Sequence, residues 1–232
     1  MKQAIQQTQP TVLAIDIGGT HVKVRCNTST EECKAVSGLQ MTAAKMVAAV
    51  QEMTKDWPFD VVSMGYPGPV LHGKIACDPR NLGPGWVKFD FAQAFGKPTK
   101  ILNDAAMQAL GDYDGGRMLF LGFGTGMGAA LVVDGIVESL ELGHMPYKKG
   151  RTFEDYVGTA GLERLGKKRW RKTVLKVVEE LSAALEPEYV VLGGGNAKLL
   201  DVIPANCRLG DNANAFLGGF RMWLDSKVNL GG

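Results

Sequence analysis

The chain has 232 residues, 45% hydrophobic and 22% charged, with 26 Lys+Arg against 24 Asp+Glu for a net charge of +2. That is the composition of a folded globular protein of one large or two small domains, and it excludes a disordered, collagen-like or coiled-coil chain. The near-neutral balance gives no reason to expect a nucleic-acid or membrane partner, and four scattered cysteines (Cys26, Cys33, Cys77 and Cys207) form neither a disulfide framework nor a paired zinc motif.

The polar start MKQAIQQTQP lacks the apolar core of a signal peptide, and no run approaches a membrane span, so a soluble cytoplasmic protein is expected. Residues 12–17 then read as a buried strand, followed by the turn Gly18-Gly19-Thr20 and a second strand from His21. Apolar spacing predicts an amphipathic helix over 42–55 and a strand over 61–64. Two Pro/Gly-rich loops, GYPGPV and NLGPGW, precede a strand over 100–103. The turn-rich GDYDGG places a boundary within 105–116, giving an N-terminal domain at 1–110 and a C-terminal domain at 111–232.

The second half repeats the opening pattern: a strand over 118–123, the turn Gly124-Thr125-Gly126, and a strand over 128–133. A strand–glycine–strand unit recurring about a hundred residues later predicts two related halves. Val174, Val177, Val178, Leu181 and Leu185 form an apolar stripe at helical spacing. A strand over 189–192, the turn Gly193-Gly194-Gly195 and a further helical stretch follow. Strands alternating with helices predict an α/β fold with mixed sheets.

Several residues carry chemistry in this arrangement. Asp16 ends the first strand, and the glycine turn after it, with the Thr20 hydroxyl and the Lys23 ammonium, makes an anion site, or else a plain hairpin with a capping Asp. Gly124, Thr125 and Gly126 form a second candidate phosphate loop, which is neither a Rossmann fingerprint nor a Walker A loop. Asp104, where a strand meets a helix, is either an N-cap or a general base. Glu141 and His144 offer an acceptor and a donor suited to sugar hydroxyls, while one His without nearby cysteine makes no zinc site. His21 and His72 read as surface or structural. Gly193, Gly194 and Gly195 fit either a nucleotide at a helix start or a tight strand-to-helix connection. Between residues 148 and 176 lie ten basic and three acidic residues, an excess of +7. It is either a solvated helix face or a docking strip for a polyanion, with Trp170 packing inside it.

The stretches LAIDIGGTHVKV, GYPGPV, NLGPGW, ILNDAAMQALGDY, LGFGTGMGAAL, ELGHMPY and VVLGGGNAK, in that order, resemble the sugar-kinase branch of the actin/hexokinase superfamily, specifically the ROK family (repressors, open reading frames, kinases). The resemblance is strongest to polyphosphate glucokinases. It implies two ribonuclease-H-like (actin-like ATPase) α/β domains with mixed sheets and a central cleft, and transfer of a phosphoryl group from polyphosphate or ATP to the 6-hydroxyl of glucose. By it, Asp104 is the catalytic base, and Asn103, Glu141 and His144 are hexose ligands. Asn81 and Gly68 line the sugar pocket, and Glu154 is a further sugar ligand. Asp16 lies near magnesium, directly or through water, and Gly18, Gly19, Thr20, Gly124, Thr125 and Gly126 hold phosphoryl groups. The family's cysteine-rich zinc motif is missing from MPYKKGRTFEDYVG, as in polyphosphate glucokinases. No helix-turn-helix precedes Leu13, which disfavours a repressor. The chain is short for the family, implying a reduced nucleotide-side domain, and a homodimer is implied. The alternatives are a kinase of another hexose or N-acetylhexosamine, which a substrate panel separates, and a sugar sensor without turnover, in which Asp104 is dispensable.

Overall fold

The computed structural model describes residues 9–211 and 213–230. The first strand, β1 (Val12–Ile17), turns into β2 (His21–Cys26) and β3 (Cys33–Val36), and α1 (Ala43–Met53) crosses to β4 (Val61–Tyr66). A two-stranded ribbon follows, β5 (Val70–Leu71) with β6 (Lys74–Ile75). Then come α2 (Phe91–Phe95), β7 (Thr99–Asn103) and α3 (Asp104–Asp112). The second half runs β8 (Arg117–Phe123), β9 (Met127–Val133), β10 (Ile136–Leu140), α4 (Glu154–Val157), α5 (Thr159–Leu165), α6 (Lys167–Leu185), β11 (Tyr189–Gly193), β12 (Cys207–Leu209) and α7 (Asn214–Leu224). Among the described residues no helix is long and apolar enough to cross a membrane.

The two halves repeat one topology. One sheet has the order β3-β2-β1-β4-β7, the other β10-β9-β8-β11-β12. In each, an antiparallel meander is extended by two parallel strands beside its first strand. Parallel strands need crossovers. In the first half α1 supplies one, with Thr42 accepting the Lys45 N–H at its start and Ala43, Met46, Val47 and Val50 on its buried face.

Strand alternation sorts β1 between two cores. Leu13, Ile15 and Ile17 join the core under α1, whereas Val12 and Ala14 meet Phe216 and Phe220 of α7. Asp16 continues the second face past the end of α7, so the same period places its carboxylate between the sheets. β8 behaves alike: Leu119, Leu121 and Phe123 pack with α6, and Met118 and Phe120 with α3. Each fully buried side chain of this kind contributes ~1.5–3 kcal/mol relative to exposure. The terminal helix of each sequence half packs on the other half's sheet, α3 against β9 and α7 against β1, and the two helices lie against each other.

Two features depart from the sequence reading. The stretch after Gly195 forms a single 3₁₀ turn at Ala197–Leu199 rather than a helix, because Leu200 already takes extended backbone and Pro204, four residues on, cannot continue a helix before the chain reaches β12. The α3 N-cap is Asn103, not Asp104: its Oδ1 accepts the Ala106 N–H at 3.1 Å, leaving Asp104 as the first helical residue.

Candidate functional site

A cleft of about 670 Å³ opens where the tips of the two hairpins, the start of α3 and the loops after β4 and β10 converge. The first tip, between β1 and β2, is closed by one hydrogen bond from Gly18 N–H to the His21 carbonyl at 2.9 Å. The Gly19 and Thr20 amides meet no acceptor among the described residues. In the second tip Gly124 N–H donates to the Gly126 carbonyl, and the Thr125 and Gly126 amides are likewise unpaired. Its carbonyls face inward. Gly124 O accepts from the Thr159 amide and hydroxyl and from Asn196 Nδ2, and Thr125 O accepts from the Thr159 amide. Two glycine turns with unpaired N–H groups thus border one cavity, the kind of arrangement that binds anions.

Of the residues singled out by sequence, Asp16, Gly18, Gly19, Lys23, Gly68, Asn81, Asn103 and Asp104 line the cleft from the first half. Gly124, Thr125, Gly126, Glu141, His144, Glu154 and Gly194 line it from the second. Three do not. Thr20 is exposed, its hydroxyl 3.2 Å from His21 Nδ1; Gly193 sits in β11 against the Phe120 ring, and Gly195 is exposed. The segment after Gly195 forms only that one 3₁₀ turn, so the triple glycine leads to no helix start long enough to receive a nucleotide phosphate.

Asp104 is the electrostatic focus. Burial pushes its carboxyl up to about 7, helped by the negative charges of Asp16 and Glu141 and opposed by the Ala105 N–H, which donates to Oδ1 at 2.8 Å. Asp16 is also raised, chiefly by burial, with Lys23 pulling it back from across the hairpin, 4.0 Å away, and Glu32 adding to the rise. Asn103 Nδ2 donates to Gly68 O at 3.2 Å, so its amide keeps one N–H and one lone pair for a ligand. His144 Nδ1 lies 3.5 Å from Glu141 Oε2. Glu154 Oε2 accepts the Met127 N–H at 3.2 Å, holding a carboxylate against the second tip. The Asn81 side chain lies against Gly19, where an added Cβ would meet its Nδ2 at 2.5 Å, so the loop from the first sheet touches the first tip. Among the described residues no group of three or more His, Cys, Asp or Glu side chains is placed to hold a metal ion.

Asp78 escaped the sequence reading. Its carboxylate accepts the N–H groups of Trp86 (2.8 Å), Gly85 (3.3 Å) and Val87 (3.4 Å), which holds its proton affinity below the usual carboxylate range. It closes the loop that carries Asn81. Trp86, fully buried against Tyr66, anchors that loop from below and donates its indole N–H to Gly83 O. The one legible signal was Asp ahead of a Gly-Pro-Gly turn, a residue type that caps free backbone N–H groups.

The sequence model of the ROK family matches residues 12–161. A polyphosphate glucokinase of Mycobacterium tuberculosis is 25% identical over 216 residues, covering 84% of this chain and 81% of the relative. The crystal structure of an inorganic polyphosphate/ATP-glucomannokinase from Arthrobacter sp. strain KM superposes with a TM-score of 0.79 at 22% identity, covering 93% of this chain and 98% of that one. A ROK family glucokinase from Streptomyces griseus, crystallised with glucose and AMPPNP, gives 0.71 at 15% identity, covering 92% and 99%.

Proposed function

The chain belongs to the ROK family, and from that premise we propose that it is a hexose kinase transferring a phosphoryl group from polyphosphate or ATP to the 6-hydroxyl of glucose. The observation that carries the reading is Asp104: a half-buried carboxylate whose desolvation raises its proton affinity to about 7, at the start of a helix, in a cleft shared with two turns of unpaired amides. Phosphoryl transfer is mostly positioning and charge neutralisation, so a base for the attacking hydroxyl and two anion cradles are the parts it needs.

In this reading Asp104 takes the hydroxyl proton as the oxygen attacks. Asn103, Glu141, His144, Glu154, Asn81 and Gly68 hold the ring by its hydroxyls. Gly18, Gly19, Gly124, Thr125 and Gly126 hold phosphoryl oxygens through backbone N–H groups, and Lys23 balances charge beside Asp16. Gly194 borders the donor end. Magnesium fits this donor set, because the cleft holds carboxylates whose charges oppose one another, and that ion is usually held by one or two carboxylates with phosphate oxygens and water. Asp16 would hold it, directly or through water, and it would neutralise charge on the transferring group. A homodimer belongs to the same reading by family likeness, and a cytoplasmic location by the four scattered, unpaired cysteines.

The test is glucose 6-phosphate formation from glucose and magnesium, with ATP and polyphosphate in parallel. Turnover with at least one donor is expected. Absence of turnover with both, while calorimetry detects glucose binding, would instead identify a sugar sensor.

The loop closed by Asp78 supplies a second expectation. Asp78→Ala strands three N–H groups and frees the segment carrying Asn81. Half-saturating glucose should rise about tenfold with kcat little changed, the pattern of lost ground-state binding. An unchanged KM in steady-state assays would remove Asn81 and its loop from the sugar pocket.

A further inference from the structure

We propose that the outer face of the first half of α6 is a docking track for inorganic polyphosphate, holding the polymeric donor outside the cleft while its terminal phosphoryl group reacts inside. The proposal rests on the reading of the cleft as a phosphoryl-transfer site and names which donor this chain is built for.

Five of the six residues from 167 to 172 are basic: Lys167, Lys168, Arg169, Arg171 and Lys172, with Trp170 between them. The first turn of α6 carries no acidic residue. This is electrostatically costly for the isolated fold, since cations oppose the helix dipole at an N-terminal turn. The pairs 167/171, 168/172 and 172/176 also set like charges four residues apart, which destabilises a helix. Few acids relieve the cost. Arg171 pairs with Asp201 and Lys176 with Glu180, but Lys167, Lys168, Arg169 and Lys172 are exposed and reach no acidic side chain within ion-pair distance among the described residues. An ordinary solvated face mixes signs, and the later half of α6, with Glu179 and Glu180, does so. The single-sign block is confined to the end nearer the second hairpin tip.

Two side chains of that block fix its place. Trp170 is fully buried, donates its indole N–H to Val157 O at 2.8 Å, and stands edge-on to Phe123, whose ring centroid is 6.4 Å away. Phe123 leads directly into Gly124. Arg171 donates to Leu199 O in the segment after Gly194, beside exposed Lys198. The basic face is therefore bolted to both segments that border the donor end of the cleft. Lys168, Lys172 and Lys176 follow one another at about 6 Å along the helix axis, four residues at 1.5 Å each. A line of flexible ammonium groups makes no shape-specific pocket, but it attracts a linear polymer bearing a charge on every unit. A nucleotide donor, with its few charges inside the cleft, has no use for it.

The experiment uses the full chain with Lys167, Lys168, Arg169 and Lys172 all changed to Gln. Wild type and variant are assayed with glucose and three donors: long-chain polyphosphate, tripolyphosphate and ATP. The KM for long-chain polyphosphate should rise at least ~10-fold and lose much of its salt dependence, as expected when several cation–phosphate contacts are removed. The KM values for tripolyphosphate and ATP should hold within about twofold, since uniform donor binding inside the cleft is untouched. An unchanged long-chain KM, or equal changes for all three donors, overturns the track. Binding is also read without turnover, by calorimetric titration of long-chain polyphosphate in the absence of glucose. Binding lost in the variant supports the track even where only ATP supports catalysis. Absence of binding to wild type overturns it even where glucose phosphorylation is confirmed.

Discussion

Replacing Asp104 with Asn is expected to lower glucose phosphorylation by about 10²–10⁴-fold, the range that a positioned general base contributes. Glucose affinity should stay within about threefold, because an amide of the same shape still accepts a hydrogen bond from the 6-hydroxyl but cannot take its proton. The substitution leaves the helix start intact, since the N-cap is Asn103 and its bond to the Ala106 N–H does not involve Asp104. Steady-state turnover and calorimetric glucose binding separate the two effects. Near-normal turnover would remove Asp104 from the chemistry, and a parallel collapse of binding would make it a sugar ligand only.

The raised proton affinity of the same carboxyl sets the pH dependence. Burial comes first among its causes, then the charge of Asp16 and that of Glu141, and together they place it at about 7 against an ordinary 3.8. The base must be ionised to act, so kcat/KM of the wild type should climb as pH rises through about 7 and level off above. Stability should move the opposite way. Between roughly pH 4 and 7 the folded protein holds a proton that the unfolded chain has released, so unfolding free energy falls as pH rises through that window. At about 1.4 kcal/mol per unit the shift sets a ceiling of ~4 kcal/mol, and partial opening of the carboxyl to cleft water reduces this to ~2 kcal/mol. Asp104→Asn should therefore melt a few degrees above wild type at pH 8 without ligands, and with it near pH 4. An equal melting point at both values would mean the carboxyl is solvated like any surface group.

Much of this site was legible because two local patterns carried it. The apolar run over residues 12–17 predicted the first strand, and strand alternation, once the sheets were seen to face each other, explains why Asp16 points between them. The recurrence of strand–glycine–strand predicted the paired tips, and the structure extends that repeat to whole sheets of one strand order. What escaped had no local signature. β12 is three residues long and exists because β11 offers it an edge. Asp78 is an exposed acidic residue whose three N–H partners lie seven to nine positions away, set by loop closure rather than by spacing. Asn103 was read as a ligand alone, yet it also caps α3 and ties β7 to Gly68, a joint duty visible only once β4 and β7 lie side by side. α7 was not anticipated from the sequence, and Gly218-Gly219 in its middle weakens its helical signal.

That pair is required by packing, and Gly218→Ala gives the sharpest test of how the halves are joined. Helix propensity alone favours Ala over Gly by ~1 kcal/mol at an interior helical position. Against that, a Cβ on Gly218 would overlap the Met107 carbonyl of α3, and one on Gly111 would overlap the Asn214 carbonyl of α7. These obstacles are backbone atoms, which no rotamer change can move, so the helices must separate along their whole contact. Separation would loosen Met107, Leu110 and Met222 in the shared core and disturb the bond from Ser63 Oγ to Gly219 O. Overpacking of this kind costs typically 1–3 kcal/mol, more where backbone must shift, so the steric term outweighs propensity and a net loss of at least ~2 kcal/mol is expected. For a chain of this size that is a fall of about 4–8 °C in melting temperature. Because Asp104 is the first residue of α3, the displaced helix should also carry its carboxylate away from the hairpin tips, and kcat should fall more than KM changes. A variant that melts higher than wild type, as propensity alone dictates, would show that α3 and α7 do not approach as closely as their glycines allow.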